Sequence, residues 1–262
     1  MNVSKYELVI VGAGVVGMGA ALAASKQGIK KILIVDRHHA CTGASIRNFG
    51  FITITGLRQK IMQERSLRSR DIWLDIIKKA KITINHRGLY LLAQHQESIP
   101  VLEEYLKVDS RSTVRLLTKQ EMESQHPLFK KNNNYGGLFS SDEVRIEPRL
   151  AIPAVANYLR SIGIDFLWRE EVLDFNHRYI ITQKRKIFFN KLIMAPGNHL
   201  KGLGRDIFEK KKIQSSKLHM LRIMPDKKVK LPGGIMADLT LMRYPGYENL
   251  PSKKKLDKVI QK

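Results

Sequence analysis

A chain of 262 residues, 43% of them hydrophobic, can bury one large core or two modest ones without disulfide or metal staples. Its single cysteine, Cys41, excludes a disulfide framework and every zinc site built from paired cysteines, and fits a reducing, cytoplasmic compartment. The net charge of +22 is spread along the chain, densest over 201–262, where 16 Lys and Arg face 6 Asp and Glu; without a zinc finger, RNP or helix-turn-helix pattern it predicts a basic solvated surface that attracts anions and no specific nucleic-acid partner.

The uncharged run Leu8–Ala24 is shorter than the ~20 residues of a spanning helix, follows Lys5 and Glu7 instead of a basic leader, and holds four glycines. It reads as strand, glycine turn and helix, with no membrane span and no signal peptide. Gly28 stops the helix and "KILIVDR" supplies a second strand, a βαβ beginning. Leu57–Lys79 has helical spacing. Residues 82–93 predict two short strands around a turn at Arg87 and Gly88. Thr118 with Glu121 forms a capping box for a helix that ends before Pro127, and "GLFSSDEVRI" reads as strand, turn and strand. Pro148 opens a helix running to Ser161, in which Pro153 is expected to cause a kink. "IDFLW", "EEVLDF" and "KIFFNKLIM" read as strands, "KLHMLRIMP" and "GIMADLTLMRYPGY" as strands of a second sheet, and "SKKKLDKVIQK" as a basic tail.

The motif with most chemical content is "VIVGAGVVGMG". Gly12, Gly14 and Gly17 stand in G-x-G-x-x-G spacing: the first permits a tight turn, the second the approach of a pyrophosphate, the third close packing of helix on strand. Ala13, Val15 and Val16 share that turn, whose helix N-terminus suits phosphate oxygens. Asp36, followed by Arg37, ends the second strand, where a carboxylate accepts hydrogen bonds from ribose hydroxyls. The pattern predicts a bound dinucleotide, and by itself it barely separates FAD from NAD. His38, His39 and His199 read as loop or solvent-facing histidines.

Taken together, "VIVGAGVVGMGAALAASKQGIKKILIVDR", "GASIRNFGF", "GGLFSSDEVRIEPRL" and "KLIMAPGNHL" resemble the FAD-dependent oxidoreductases of the D-amino-acid oxidase family, which includes glycine and sarcosine oxidases. "GASIRNFGF", "LLTKQEMESQHPLF" and "HMLRIMP…LTLMRYPGY" carry a closer likeness to a phosphonate-associated clade proposed to oxidise aminophosphonates. The resemblance implies an α/β fold: a discontinuous Rossmann-type FAD-binding domain over 1–80 and 145–200, and an α+β substrate domain with a mainly antiparallel sheet over 81–144 and 201–262. Under it, Gly43, Ala44 and Ser45 run along the pyrophosphate and ribityl chain, Arg47, Asn48 and Gly50 lie beside the isoalloxazine ring, Val172 offers its backbone to adenine, and Ala195 and Gly197 close over the cofactor. Arg222, Arg243 and Tyr244 are the candidates for holding a small anionic amine, with Arg47 assisting. The implied reaction oxidises a C–N bond by hydride transfer to flavin, with dioxygen as the expected electron acceptor and no metal.

The family pattern continues with a glycine-rich turn and a helix facing the flavin. This sequence ends "RYPGYENLPSKKKLDKVIQK", which implies a C-terminally truncated chain with an incomplete second sheet and one wall of the flavin site absent. Two other expectations stand beside flavin oxidation: an NAD(P)-binding dehydrogenase, and a noncatalytic truncated remnant.

Overall fold

The computed structural model describes residues 5–58, 60–131, 133–199, 202–214 and 217–261. In chain order the elements are β1 (Lys5–Val11), α1 (Val15–Lys26), β2 (Ile32–Asp36), β3 (Phe51–Ile52), α2 (Ile61–Lys79), β4 (Ile84–Leu92), α3 (Ser98–Val108), β5 (Val114–Leu117), α4 (Lys119–Gln125) and α5 (Pro127–Lys130). They continue with β6 (Gly137–Ile146), α6 (Pro148–Ser161), β7 (Asp165–Trp168), β8 (Val172–Phe175), β9 (Tyr179–Thr182), β10 (Lys186–Met194), α7 (Arg205–Lys210), β11 (Gly234–Ala237), α8 (Leu239–Arg243) and α9 (Lys253–Ile260). No described helix is long and apolar enough to cross a membrane, and the uncharged run Leu8–Ala24 divides between β1 and α1.

The chain forms two compact units. The first comprises Met1–Phe49, Lys78–Ile82 and Pro148–Ile223; the second comprises Gly50–Ile77, Thr83–Glu147 and Met224–Lys262. These borders differ from the expected ones most over two stretches. Residues 50–77 belong with the second unit, because β3 pairs with β6, and residues 201–223 belong with the first.

The first unit is built on a six-stranded sheet of order β7-β2-β1-β10-β9-β8. β7, β2, β1 and β10 are parallel, and β8, β9 and β10 form an antiparallel meander. Val9, Ile10, Leu33 and Ile34 are buried, as continuous apolar strands between covered faces require. α6 continues unbroken through Pro153, so the expected interruption is absent; burial of Ala151, Ile152, Val155, Ala156 and Leu159 along one face offsets the proline's cost.

The second unit holds a sheet of order β11-β4-β6-β3, with β5 also pairing β6. Four sequence expectations are corrected here. Residues 84–92 form one strand, not two around a turn: β4 pairs β6 on both sides of Gly88, and the ladder shifts register between Arg87 and Leu89. Gly88 takes φ +77° at this bulge, where a side chain would press on the Phe139 ring. "GLFSSDEVRI" is likewise one ten-residue strand. "KLHMLRIMP" forms neither strand nor helix among its described residues, and in "GIMADLTLMRYPGY" β11 gives way to α8. The buried Asp238 carboxylate accepts from the Gln94 amide at 3.1 Å and lies 2.6 Å from His95 Nδ1, which turns the chain off the sheet edge. Finally, the basic tail folds as α9, whose Leu256 is buried with Leu102, Tyr105, Leu241 and Tyr247. The capping box is present: Glu121 N–H donates to Thr118 Oγ1 (3.2 Å) and Thr118 N–H to Glu121 Oε2 (2.7 Å).

A buried polar network sits within the second unit. Arg111 forks onto Asp109 at 2.6 Å and reaches Asp142 at 2.8 Å, while Arg70 takes the other Asp142 oxygen at 2.5 Å. Burial alone would raise the Asp109 carboxyl, but hydrogen bonds and charge from Arg111 outweigh it and hold the group below its ordinary value. A lowered folded pKa contributes stability above the ordinary carboxylate range, lost as pH falls through the lowered value. Replacing Arg111 with Met leaves Asp109 charged and buried. The expected cost is about 3 kcal/mol in urea unfolding at neutral pH, shrinking on acidification as Asp109 takes up a proton. A variant whose deficit is independent of pH would contradict this assignment.

Candidate functional site

The candidate site is a cavity of about 720 Å³ within the first unit, at the C-terminal ends of β1, β2 and β10. Its floor is the turn after β1. Gly12 N–H donates to Val35 O at 2.8 Å, and Ala195 N–H donates to Val11 O at 2.8 Å, so three strand ends are tied together. Gly12 takes φ +106°, and any Cβ there would run into the Ala195 carbonyl oxygen. A Cβ on Gly17 would run into the Gly12 carbonyl, so α1 packs directly on the turn. At Gly14, the nearest atom to an added Cβ is Ser45 Oγ at 3.1 Å, which leaves the face toward the cavity open. Gly12 thus permits the tight turn and Gly17 the close packing of helix on strand, as their spacing predicts.

Polar groups converge on this cradle. Asp36 Oδ2 accepts from Ala13 N–H at 2.8 Å and Oδ1 from His38 N–H at 2.9 Å, which fixes the carboxylate and leaves further lone pairs for hydroxyl donors. The first turn of α1 holds no acidic residue, and Val15 N–H donates to Ser45 Oγ at 3.0 Å. An oxygen acceptor therefore already occupies one amide of the helix end where a phosphate oxygen would lie. Glu170 is buried and paired with Arg185 at 2.9 Å. Burial, with the Asp36 charge second, pushes the Cys41 thiol up to about 11, and its Sγ lies 3.3 Å from Ala13 O; it packs as an unreactive wall residue.

The cavity is lined by Gly12, Ala13, Gly14, Asp36, Arg37, Gly43, Ala44, Ser45, Val172, Ala195 and Gly197, all predicted as cofactor residues. Val15, Val16 and Gly17 are not among the lining residues; they belong to the helix that supports it. Nor are Arg47 and Asn48. Arg47 is exposed, and the Asn48 amide donates to Ala44 O (3.3 Å) and Ser45 O (2.9 Å), which holds the short turn 44–46. Arg222 is exposed and lies in the first unit, whereas Arg243 and Tyr244 end α8 in the second. None of the three is on a strand, so the expectation that a second sheet presents them is corrected. Sequence reading missed Glu171, Phe175, Met194, Pro196 and His199 in the lining. The signal was available only in part, as a Pro-Gly turn closing an apolar strand.

Comparison with known proteins gives the same picture. The FAD dependent oxidoreductase family (DAO) matches residues 7–255, and the chain belongs to that family. Among curated relatives it is 22% identical over 248 residues to a D-amino acid dehydrogenase of Helicobacter pylori, covering 74% of this chain and 60% of the relative. It is 25% identical over 183 residues to the monomeric sarcosine oxidase of an Arthrobacter species, covering 67% of this chain and 46% of that one. Among solved structures, the glycine oxidase of Geobacillus kaustophilus superposes with a TM-score of 0.65 at 20% identity, over 78% of this chain and 58% of its own. The fold is shared with that oxidase, and the chain spans about 60% of the length of the dehydrogenase.

Two glycines of α1 provide a paired test of the cradle. Gly17→Ala forces a methyl into the Gly12 carbonyl and is expected to cost about 2 kcal/mol or more, with loss of dinucleotide uptake. Gly19→Ala, two residues on, points into open space and is expected to stabilise the helix by up to about 1 kcal/mol. Thermal unfolding of both variants reads the difference; equal shifts would refute the assigned packing.

Proposed function

We propose that this chain is an FAD-dependent oxidoreductase acting on the C–N bond of a small anionic amine, an amino acid or an aminophosphonate. The observation that carries the proposal is the cradle itself: three glycines free of side chains at a helix N-terminus, answered by the fixed Asp36 carboxylate. Asp36 holds the adenosine ribose, the amides at the start of α1 hold the pyrophosphate, and Gly43, Ala44 and Ser45 let the chain of the cofactor run close to the backbone. Val172 presents its backbone to adenine, and Ala195 and Gly197 cover the cofactor. The bound flavin supplies the hydride acceptor.

The relatives' names support amino acids as the substrate class: D-amino acid dehydrogenase, sarcosine oxidase and glycine oxidase. We assign recognition of the substrate's anionic group to Arg222, Arg243 and Tyr244, and a place beside the ring to Arg47 and Asn48. A planar guanidinium suits the two oxygens of a carboxylate or phosphonate better than an ammonium does. Amine oxidation by hydride loss needs a neutral amine held in position, so the protein's work is orientation and exclusion of water, not acid-base relay. Dioxygen is the proposed terminal acceptor.

The test is direct. Purified chain incubated with FAD and then desalted is expected to keep a flavin spectrum, and NAD is expected to leave it unchanged. Asp36→Ala is expected to raise the FAD dissociation constant at least about tenfold, from loss of charged acceptors. Anaerobic bleaching by glycine, D-amino acids or aminoalkylphosphonates then separates the substrates. Colourless protein whose melting temperature rises with NAD and not FAD would overturn the proposal.

A further inference from the structure

The mouth of the cavity holds an imidazole whose surroundings are built around it. His199, in the turn after β10, is two-thirds buried, with a side-chain exposure of 33%. Its Nδ1 lies 2.6 Å from Arg37 Nη1, at the end of β2, and its Nε2 lies 3.8 Å from Glu171 Oε1, just before β8. Arg37 also stands 4.0 Å from Glu171 and donates through Nε to His38 Nε2 at 3.2 Å. The ring lies directly on Gly202, where any Cβ would collide with Cδ2 and Nε2. His199, Arg37, Glu171 and Gly202 all line the cavity. One side chain therefore joins three separate segments of its wall.

A guanidinium can only donate. Nδ1 must then accept, which fixes the ring as the neutral tautomer with its proton on Nε2, facing the Glu171 carboxylate. Among the described residues, Glu171 is the carboxylate paired with the ring; Asp206 and Arg205, at the start of α7, line the same cavity, and Arg205 is engaged with Glu209 at 2.6 Å.

Resting on the FAD assignment above, we propose that His199 is a positioning residue that latches the turn after β10 over the adenosine end of the cofactor. In its neutral form it joins that turn to the residue following Asp36, and so slows escape of the bound dinucleotide.

The rate of FAD release, followed by the recovery of free-flavin fluorescence after dilution, tests the latch without any turnover. His199→Ala is expected to release FAD about tenfold faster than the parent at pH 8, the loss of a charge-assisted hydrogen bond. His199→Asn, whose Oδ1 can take the place of Nδ1, is expected to release at close to the parent rate. Gly202→Ala, which displaces the ring without removing it, is expected to behave as His199→Ala. A parent chain that takes up no FAD overturns the cofactor assignment and the latch together. A parent that holds FAD, with His199→Ala and Gly202→Ala releasing at the parent rate, overturns the latch alone.

Discussion

Contact between the Gly12 backbone and the Ala195 carbonyl is the constraint on which the first unit depends. At this point β1 stops pairing and turns into α1, β10 ends against it, and the helix sits down on the turn through Gly17. A side chain at Gly12 would push the turn off the end of β10, and one at Gly17 would lift α1 off the turn. The same contact shapes the cavity, because it sets the N-terminal end of α1 beside it while the Val11, Gly12 and Val35 backbone groups are used within the sheet. Fold and binding cradle here are one arrangement of main chain, which is why they share their residues.

The second unit solves a related problem with side chains. β3 is only two residues long, pairing Phe51 and Ile52 with Arg145 and Val144. Where the ladder would continue, the Glu143 carboxylate accepts from Thr55 N–H at 2.8 Å, Tyr105 Oη accepts from Gly56 N–H at 3.0 Å, and Arg111 donates to Thr55 Oγ1 at 3.2 Å. Burial raises both the Tyr105 and Tyr247 phenols well above their ordinary values, so they stay neutral beside those charges. A buried carboxylate and a buried guanidinium replace strand pairing over residues 54–56, and the core of Leu91, Leu102, Tyr105 and Leu138 closes around them.

Features fixed by neighbours a few residues away were legible in the sequence. The glycine spacing, Asp36 at the end of β2, the Thr118 capping box and the stop before Pro127 all depend on local backbone geometry, and all are present. What was misread depends on distant partners. Gly88 looks like a turn until β6 is known to pair on both sides of it, and "SKKKLDKVIQK" looks like a solvated tail until Leu256 is placed against Tyr105 and Leu102. The Arg111 network joins residues 70, 109, 111 and 142, a separation that no periodicity records. His199 was set aside for the same reason. A lone histidine in a loop carries no signal until the arginine 162 positions away is found beside it.

The charge of the molecule and the charge of its cavity also have to be distinguished. The chain as a whole carries +22, which favours the approach of any anion. The cavity itself is lined by Arg37 and Arg205 against Asp36, Glu170, Glu171 and Asp206, and Glu170 and Arg205 are already paired with Arg185 and Glu209. Side chains at the site therefore give no excess of positive charge to hold a pyrophosphate. Long-range attraction is screened beyond about 8 Å at physiological salt, so it can speed encounter but cannot hold a ligand seated among carboxylates. On the proposed reading, the hold on a pyrophosphate comes from the backbone: the positive end of α1, which no acidic side chain in its first turn offsets, and amides there other than that of Val15, which donates to Ser45. That reading gives glycine at the cradle its purpose, since backbone can serve as the anion-binding group only where no side chain holds a phosphate away from it.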